Sequence, residues 1–522
     1  MSPGSALRLA ILPVLAVACA HSREFRSPAE GGPPWVEVET AHFRVITDGR
    51  LEDARRLAVE CEQVRQAMLV GFWESRFDPP GKLEVVVLRN PDELADFTGT
   101  AMVPRGPHAI VLGYFMPSVR PRIVTGLRRD RDAPSLTLPP FQADVEAAAL
   151  AKESLVLRHE LAHYLGEEVL LRRPRWMAEG LATYLQTLVL GTWQGRPAAV
   201  IGLAPGEGTY SHARAVPGGE LLRGEDFDYT WSGLFVHWLV NQRGLQFAAY
   251  QQRLARAEDP ATAWKASFPD LDPADAAAME GLDRALMDYP VASRFEVRRV
   301  LLAPVSSPGP PRTLAPAEVH ALRSELFLAA LVDRDEQARA ELAESLREDP
   351  SGVSAIVPLF FLRPGSELLA LGQKAMGERP GDWRGGLLLA LGARARPDLA
   401  AERLDGLKAV ARAMPDDAFA LNAAAWEMHE LGASGDALPL AARAAALAPW
   451  SAAVLDTYGI VLADLGRCPE ALAAQRRAVD LLGRARDEGR AEGESLTPAG
   501  EIRKHLAEIE GGCPTAQPAA RR

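Results

Sequence analysis

The first third of the chain alternates between strand-like and helix-like patterns of hydrophobic positions. Apolar and polar side chains alternate with a period of two over residues 35–48, as in a strand that is buried on one face. Residues 51–72 carry apolar side chains at spacings of three and four, which predicts a helix, and 82–88 and 108–115 are predicted as two further strands. The arginine- and proline-rich segment 117–140 has no clear period and is predicted as a loop.

Helical periodicity dominates from about Glu146 onward. It is broken by segment 303–316, whose five prolines and one glycine cannot continue a helix. We therefore predict a domain boundary here, with a linker over residues 286–316 and an all-α domain over 317–522.

Small residues recur with a period of 34 in the last part of the chain. The same residue types occur twice at this spacing, as Gly432, Ala437 and Ala444 and then as Gly466, Ala471 and Ala478. A similar spacing continues upstream through Pro350, Pro380, Pro415 and Pro449. The pattern resembles tetratricopeptide repeats, in which small residues lie where paired helices approach each other. An irregular alanine-rich helical domain is the alternative, and residues 501–510 are predicted as a closing helix.

The composition is that of an acidic globular protein. The 522 residues carry a formal net charge of −11, with 48% hydrophobic and 24% charged residues. A net negative chain offers no electrostatic attraction for nucleic acid, so that class of partner is excluded. The chain is too long for one compact core, and about two to four domains are expected.

The N-terminus has the features of an export signal. Arg8 precedes an apolar run over residues 9–17, which is too short to span a bilayer, and small residues lead into Cys19. The sequence "AVAC" resembles a bacterial lipobox, which implies removal of residues 1–18 and lipidation of Cys19; a plain secretory signal is the alternative. Ala20 after that cysteine implies sorting to the outer membrane, facing the periplasm. Export to an oxidising compartment would allow Cys468 and Cys513 to form a disulfide.

The sequence "RHELAHYL", residues 158–165, carries the candidate chemistry. With 10 histidines and 69 acidic residues in 522, about 0.03 His-acid-x-x-His matches are expected by chance. On a helix, His159 and His163 lie on one face and can bind one metal ion, while Glu160 is rotated by about 100°. Zinc lowers the pKa of a bound water from about 16 to about 7, so Glu160 is predicted to act as a general base.

A catalytic zinc site usually has a third protein ligand. Residues 173–186, "RPRWMAEGLATYLQ", follow after a short basic turn and are predicted to begin a helix near Pro174 that ends near Gly191. An antiparallel return of this helix would bring Glu179 opposite the histidine pair. A structural zinc site is disfavoured because it normally has four Cys or His ligands, and no cysteine lies nearby.

These motifs resemble the gluzincin metallopeptidases, in particular the peptidase MA-like group. Besides "HELAHYL" and "PRWMAEGLATY", the chain matches that group's first strand at Trp35, Glu37, Thr40, His42 and Phe43. The resemblance covers about residues 35–285. It implies His159, His163 and Glu179 as zinc ligands and Glu160 as catalytic base. It also implies a thermolysin-like α+β fold, with an edge strand near 108–115 that aligns an extended peptide.

The residue that stabilises the oxyanion is less clearly marked. Tyr229, at the start of a predicted helix over 230–244, is the first candidate, and Tyr184, His212 and His237 are alternatives. Apolar side chains at helical spacing predict that this helix packs in the core, with His237 as a packed or surface residue. Thr183 could hydrogen-bond a ligand histidine, although ordinary helix packing is the preferred interpretation.

Two functions follow from these features. The first is a membrane-anchored zinc endopeptidase or aminopeptidase that acts on a peptide or protein and binds a protein partner through its repeats. The second is a non-catalytic scaffold lipoprotein of the cell envelope whose repeats bind partners. The presence of Glu160 favours the enzyme, because a domain that only binds has no chemical need of a base.

Overall fold

The computed structural model describes residues 25–74, 78, 80–90, 93–98, 113–116, 119–126, 155–202, 214–292, 297–330, 333–487 and 498–513. The fold mixes α and β structure and is mostly helical. The predicted signal peptide with Cys19, and the candidate His212, lie outside the described residues. Within the described ranges, no helix is both long and apolar enough to cross a membrane.

The N-terminal elements build a six-stranded mixed sheet. They are β1 (Val36–Glu39), β2 (Phe43–Thr47), α1 (Leu51–Gly71), β3 (Leu83–Leu88), α2 (Leu94–Thr98), β4 (Gly113–Met116) and β5 (Arg122–Gly126). The strand order is β4-β5-β3-β2-β1-β9, where β9 (Arg312–Thr313) is contributed from later in the chain. β2, β3 and β5 run parallel, and β4 lies at the edge, antiparallel to β5.

The prediction of a loop over 117–140 is wrong for β5. This strand lies inside the sheet, and its first residue, Arg122, is buried against Glu84 of β3 and Glu325. Arginines and prolines are typical of a loop, but a buried ion pair satisfies this guanidinium within the fold. The predicted strand near 108–115 is described only from Gly113, where β4 begins.

The elements that follow hold the candidate site and a second sheet. They are α3 (Leu155–Val169), α4 (Arg175–Leu185), β6 (Val189–Trp193), β7 (Arg196–Ile201), α5 (Gly218–Arg223), α6 (Tyr229–Gln242), α7 (Gly244–Leu254), α8 (Pro260–Ser267), α9 (Ala276–Ala292) and β8 (Arg298–Leu301). β6, β7 and β8 form an antiparallel sheet in that order. Continuous helix after Glu146 is therefore a wrong prediction.

The predicted end of α4 near Gly191 is also wrong. The helix ends at Leu185, and Gly191 lies in β6, paired with Ala198 of β7. The Thr187 hydroxyl donates to the Tyr184 carbonyl in the turn between helix and strand. Strand pairing in three dimensions thus replaces a helix that the local pattern favoured.

Apart from one short strand, the elements described in the rest of the chain are helices. It contains β9 (Arg312–Thr313), α10 (Pro316–Leu328), α11 (Asp335–Glu348), α12 (Ile356–Leu362), α13 (Gly365–Glu378), α14 (Trp383–Gly392), α15 (Ala400–Ala413), α16 (Ala418–Glu430), α17 (Ser434–Leu447), α18 (Ala452–Asp464), α19 (Cys468–Asp487) and α20 (Ala499–Gly512). The segment 286–316, predicted as a linker, includes the end of α9 and the strands β8 and β9. β9 pairs with β1, so this segment contributes to both sheets.

The helices α16 to α20 show the 34-residue periodicity. Gly432 and Gly466 occupy equivalent turns, with φ of 72° and 71°, a left-handed conformation that glycine adopts without strain. The four prolines of the repeat pattern each lie two residues after a helix end, at α11, α13, α15 and α17. Cys468 and Cys513 form a disulfide, the pairing considered from the sequence, and the predicted closing helix is α20.

The helical region packs directly on the site region. One buried apolar cluster extends from Trp35 to Val461. Trp450, after α17, contacts Tyr164 of α3 with ring centroids 5.9 Å apart. Arg120, in the β4–β5 connection, forms an ion pair with Asp417. The two regions therefore share a core.

Candidate metal centre

The candidate ligands come together from two packed helices. His159 and His163 lie one turn apart on α3, and Glu179 lies on α4. The two Nε2 atoms are 3.1 Å apart, and Glu179 Oε2 lies 3.4 Å from His159 Nε2 and 3.2 Å from His163 Nε2. The three side chains that the sequence singled out thus converge on one point.

This donor set fits a divalent metal ion. Ligand atoms that bind an ion tetrahedrally at about 2.0–2.1 Å lie about 3.3–3.4 Å from each other, close to the separations observed. Glu179 Oε2 is buried and accepts no well-aligned hydrogen bond from any described residue. Burial alone would raise the pKa of Glu179, but the two histidines lower it overall. A cation at the shared point would satisfy this oxygen and both imidazoles.

Gln186 orients one of the histidines, a role that the sequence did not suggest. Its Oε1 lies 3.1 Å from His159 Nδ1. When that nitrogen donates its proton to the amide oxygen, the Nε2 lone pair is left free to face the shared point. Gln186 follows Glu179 by seven residues, two helical turns, so the spacing was a usable signal.

Arg173 supports the other histidine through the backbone. Its guanidinium donates to the His163 carbonyl at 3.1 Å and pairs with Glu167 at 3.4 Å, and both side chains are buried. A Cβ at Gly166 would lie only 2.5 Å from the guanidinium, so glycine makes room for it. The basic turn between α3 and α4 therefore holds the last part of α3 in place.

Glu160 lies between the ligands and the edge strand. The side chain is 8% exposed, and burial raises its pKa to about 7. The nearby His159 and the backbone N–H of Phe115 in β4 lower this pKa, and the carboxylate of Glu179 raises it further. The residue predicted as general base therefore lies near the strand predicted to align a peptide.

Among the oxyanion candidates in the described residues, Tyr229 is the one that lies beside the site. It is the first residue of α6, and its side chain is 49% exposed. Desolvation raises its pKa, followed by the nearby carboxylate of Glu179, with a smaller contribution from Glu160. The nearby guanidinium of Arg175 opposes this rise. The phenol therefore faces solvent close to both carboxylates.

The other described candidates lie in the core. Tyr184 is 5% exposed and contacts the ring of His237, with centroids 5.5 Å apart. His237 accepts or donates a hydrogen bond at 2.7 Å with the Tyr289 hydroxyl, and burial lowers its pKa to about 4. The prediction that His237 is a packed residue is confirmed.

Thr183 packs against α6 at Gly233, and no hydrogen bond joins it to His159 or His163. A Cβ added at Gly233 would lie 2.4 Å from its methyl group, and one at Gly180 would lie 2.6 Å from the Ser232 carbonyl oxygen. These glycines allow α4 and α6 to approach closely, which fixes the helix that carries Glu179. Thr183 thus has the ordinary packing role that was preferred for it.

Comparison with protein-family models and with curated proteins finds no match for this chain. Function is therefore inferred from the geometry of the site and from the sequence motifs.

Proposed function

We propose that the chain is a zinc-dependent metallopeptidase. The convergence of His159 Nε2, His163 Nε2 and Glu179 Oε2, with the buried Glu160 beside them, is the observation that carries the proposal. Two imidazoles and one carboxylate are the three-ligand set of many catalytic zinc sites, which keep a further position for water. The proposed fold is a gluzincin, thermolysin-like domain followed by tetratricopeptide-like repeats.

The residues divide the chemistry between them. Zinc, when bound by His159, His163 and Glu179, supplies a Lewis acid that polarises the scissile carbonyl and acidifies water. Glu160 takes a proton from the attacking water and passes it to the leaving amine. Tyr229 donates a hydrogen bond to the carbonyl oxygen as negative charge develops. β4 offers its free edge to an extended peptide.

The decisive variant is Glu160→Gln, with the exposed Glu280→Gln as matched control. Glu160→Gln keeps the size of the side chain and removes the base, so zinc stays near one per chain while peptide hydrolysis falls by about 100-fold or more. Glu280→Gln is expected to leave both quantities unchanged. Metal analysis and cleavage of a peptide library, with and without chelator, measure them. A wild-type chain that binds no zinc, or that cleaves no peptide, contradicts the proposal.

The proposals for localisation and for a protein partner rest on the sequence. We propose export, lipid anchoring at Cys19 in the outer membrane facing the periplasm, and binding of a protein partner by the helical region. A non-catalytic scaffold lipoprotein is the second candidate, favoured by the length of the helical region α10 to α20 and its shared core with the site region. A wild-type chain that binds zinc and partners but cleaves nothing would support the scaffold.

A further inference from the structure

Arg175 lies one helical turn from a candidate metal ligand. It is the first residue of α4 and precedes Glu179 by four positions, so both side chains emerge from the same face of the helix. Long helical side chains extend toward the N-terminus, which carries the guanidinium away from Glu179 along that face. Arg175 is exposed to solvent.

The guanidinium is held by aromatic residues. It lies over the ring of Phe227, 4.6 Å from the centroid, and close to Tyr229, where its charge opposes the rise in the pKa of the phenol. Phe227 and Tyr229 contact each other with centroids 4.8 Å apart. Stacking on an aromatic face orients a guanidinium plane without neutralising its charge.

Arg175 differs from its neighbours in the basic turn. Arg172 pairs with Asp487, and Arg173 pairs with Glu167. In the described part of the chain, no carboxylate oxygen lies within ion-pairing distance of Arg175. An arginine that is oriented, solvent-exposed and without an acidic partner is suited to bind an anion from solution.

We propose that Arg175 binds a carboxylate of the substrate, so that the site prefers peptides with a free C-terminus or an acidic side chain near the scissile bond. This inference rests on the proposed peptidase function. A planar guanidinium and a carboxylate form two parallel hydrogen bonds, which fixes the position of the peptide as well as attracting it. Arg175 also offsets the repulsion that Glu160 and Glu179 exert on a negatively charged substrate.

Three sets of N-acetylated heptapeptides test the preference and identify the source of the carboxylate. One set has a free C-terminus and glutamine, one has a C-terminal amide and glutamate, and one has a C-terminal amide and glutamine. We expect kcat/KM to be about 10- to 100-fold higher for at least one carboxylate set than for the neutral set. Arg175→Gln removes this advantage, and Arg175→Lys restores only part of it because an ammonium cannot form the paired hydrogen bonds.

Binding gives a second readout that needs no turnover. Fluorescently labelled peptides of the same three sets are titrated into Glu160→Gln and into Glu160→Gln with Arg175→Gln, and anisotropy reports the Kd. Arg256→Gln, which also removes one exposed positive charge, is the control and should retain the preference. Zinc content near one per chain shows that each variant keeps its site.

The outcomes distinguish failure of the carboxylate preference at Arg175 from failure of the proposed peptidase function. If all three sets are cleaved equally and Arg175→Gln changes nothing, the carboxylate preference is overturned while the peptidase stands. If nothing is cleaved, the peptidase fails, and the binding titration decides alone: equal affinities overturn the role of Arg175, and a preference that depends on Arg175 supports it.

Discussion

Two histidine–carboxylate clusters in this protein use the same residue types in opposite ways. The first joins His159 and His163 to Glu179 between α3 and α4. The second lies at the β1–β2 turn, where His42 Nδ1 is 2.7 Å from Glu62 Oε2 and His42 Nε2 is 2.7 Å from Asp78 Oδ1. In the second cluster each ring nitrogen has its own carboxylate, and the protonated imidazole is fully satisfied.

The first cluster cannot be satisfied by protons in the same way. Its two Nε2 atoms face each other and share one carboxylate oxygen. Two protonated imidazoles at this distance would repel each other, and in a neutral pair a single N–H between the two Nε2 atoms would serve that contact but give Glu179 Oε2 no donor of its own. Residue composition alone therefore does not mark a metal site; the direction of the lone pairs does.

The largest expected effect is on metal binding. His163→Ala or Glu179→Ala removes a direct ligand, and zinc affinity should fall by more than about 100-fold, since loss of even a supporting contact reduces it 10- to 100-fold. His42→Ala should leave zinc near one per chain. Metal analysis after dialysis measures each variant. Retention of zinc by Glu179→Ala would remove Glu179 from the ligand set.

The second-largest expected effect is on the free energy of unfolding, through Arg173, which is buried against α3. Arg173→Met leaves Glu167 and the His163 carbonyl without their cationic partner, and the free energy of unfolding should fall by about 3–5 kcal/mol. Urea denaturation measures the change. Arg256→Met, at an exposed position, is expected to change it by less than about 0.5 kcal/mol. Equal effects of the two substitutions would show that Arg173 does not support the helix.

Substitution of Gln186 should have a smaller effect, limited to the affinity for zinc. Gln186→Leu removes the acceptor that orients His159, and zinc affinity should weaken by about 10- to 100-fold. Gln186→Glu keeps an acceptor in place and should preserve most of the affinity. Titration against a competing chelator measures both variants. Tight binding by Gln186→Leu would mean that the helix alone orients His159.

The smallest expected effect is the pH-dependent contribution of the His42 cluster to the free energy of unfolding. The hydrogen bond that His42 donates to Glu62 raises the pKa of His42 above its ordinary value of 6.5, although burial and Arg65 oppose the shift. The stabilisation is present below the ordinary pKa and is lost as pH rises through the raised pKa. His42→Gln should therefore reduce the free energy of unfolding by about 1 kcal/mol or less near pH 6.

The same substitution should have a smaller effect at alkaline pH, once pH has risen through the raised pKa and His42 has lost its proton. Urea denaturation of wild type and variant at the two pH values measures the change. A difference between wild type and His42→Gln that is identical at both pH values would contradict the ion-pair interpretation.

The parts of the fold that were predicted are those with a strong local period. α1, β2 and β3 follow the spacing of their own apolar residues, and α6 buries the stripe that includes Phe235 and Leu239. β5 was missed because its arginine is neutralised by residues distant in sequence. β6 was missed because the pairing with β7 depends on a neighbour that no local pattern reveals.

The candidate site, like the fold, was predicted only where a local spacing marked its residues. The spacing of His159 and His163 places them on one helical face wherever that helix lies in the fold. Glu179 was suggested by a return helix of workable length, whereas Arg173 and Arg175 looked alike in a basic turn. Only the structure shows that Arg173 is buried under α3 and that Arg175 lies open on Phe227.

By itself, the sequence determined which side chains share a helical face, because backbone hydrogen bonding repeats every 3.6 residues regardless of surroundings. The tertiary structure alone decided which faces meet and which polar groups are buried with partners. Those outcomes depend on close packing between segments far apart along the chain, such as α4 against α6 at Gly180 and Gly233, and no local period encodes them.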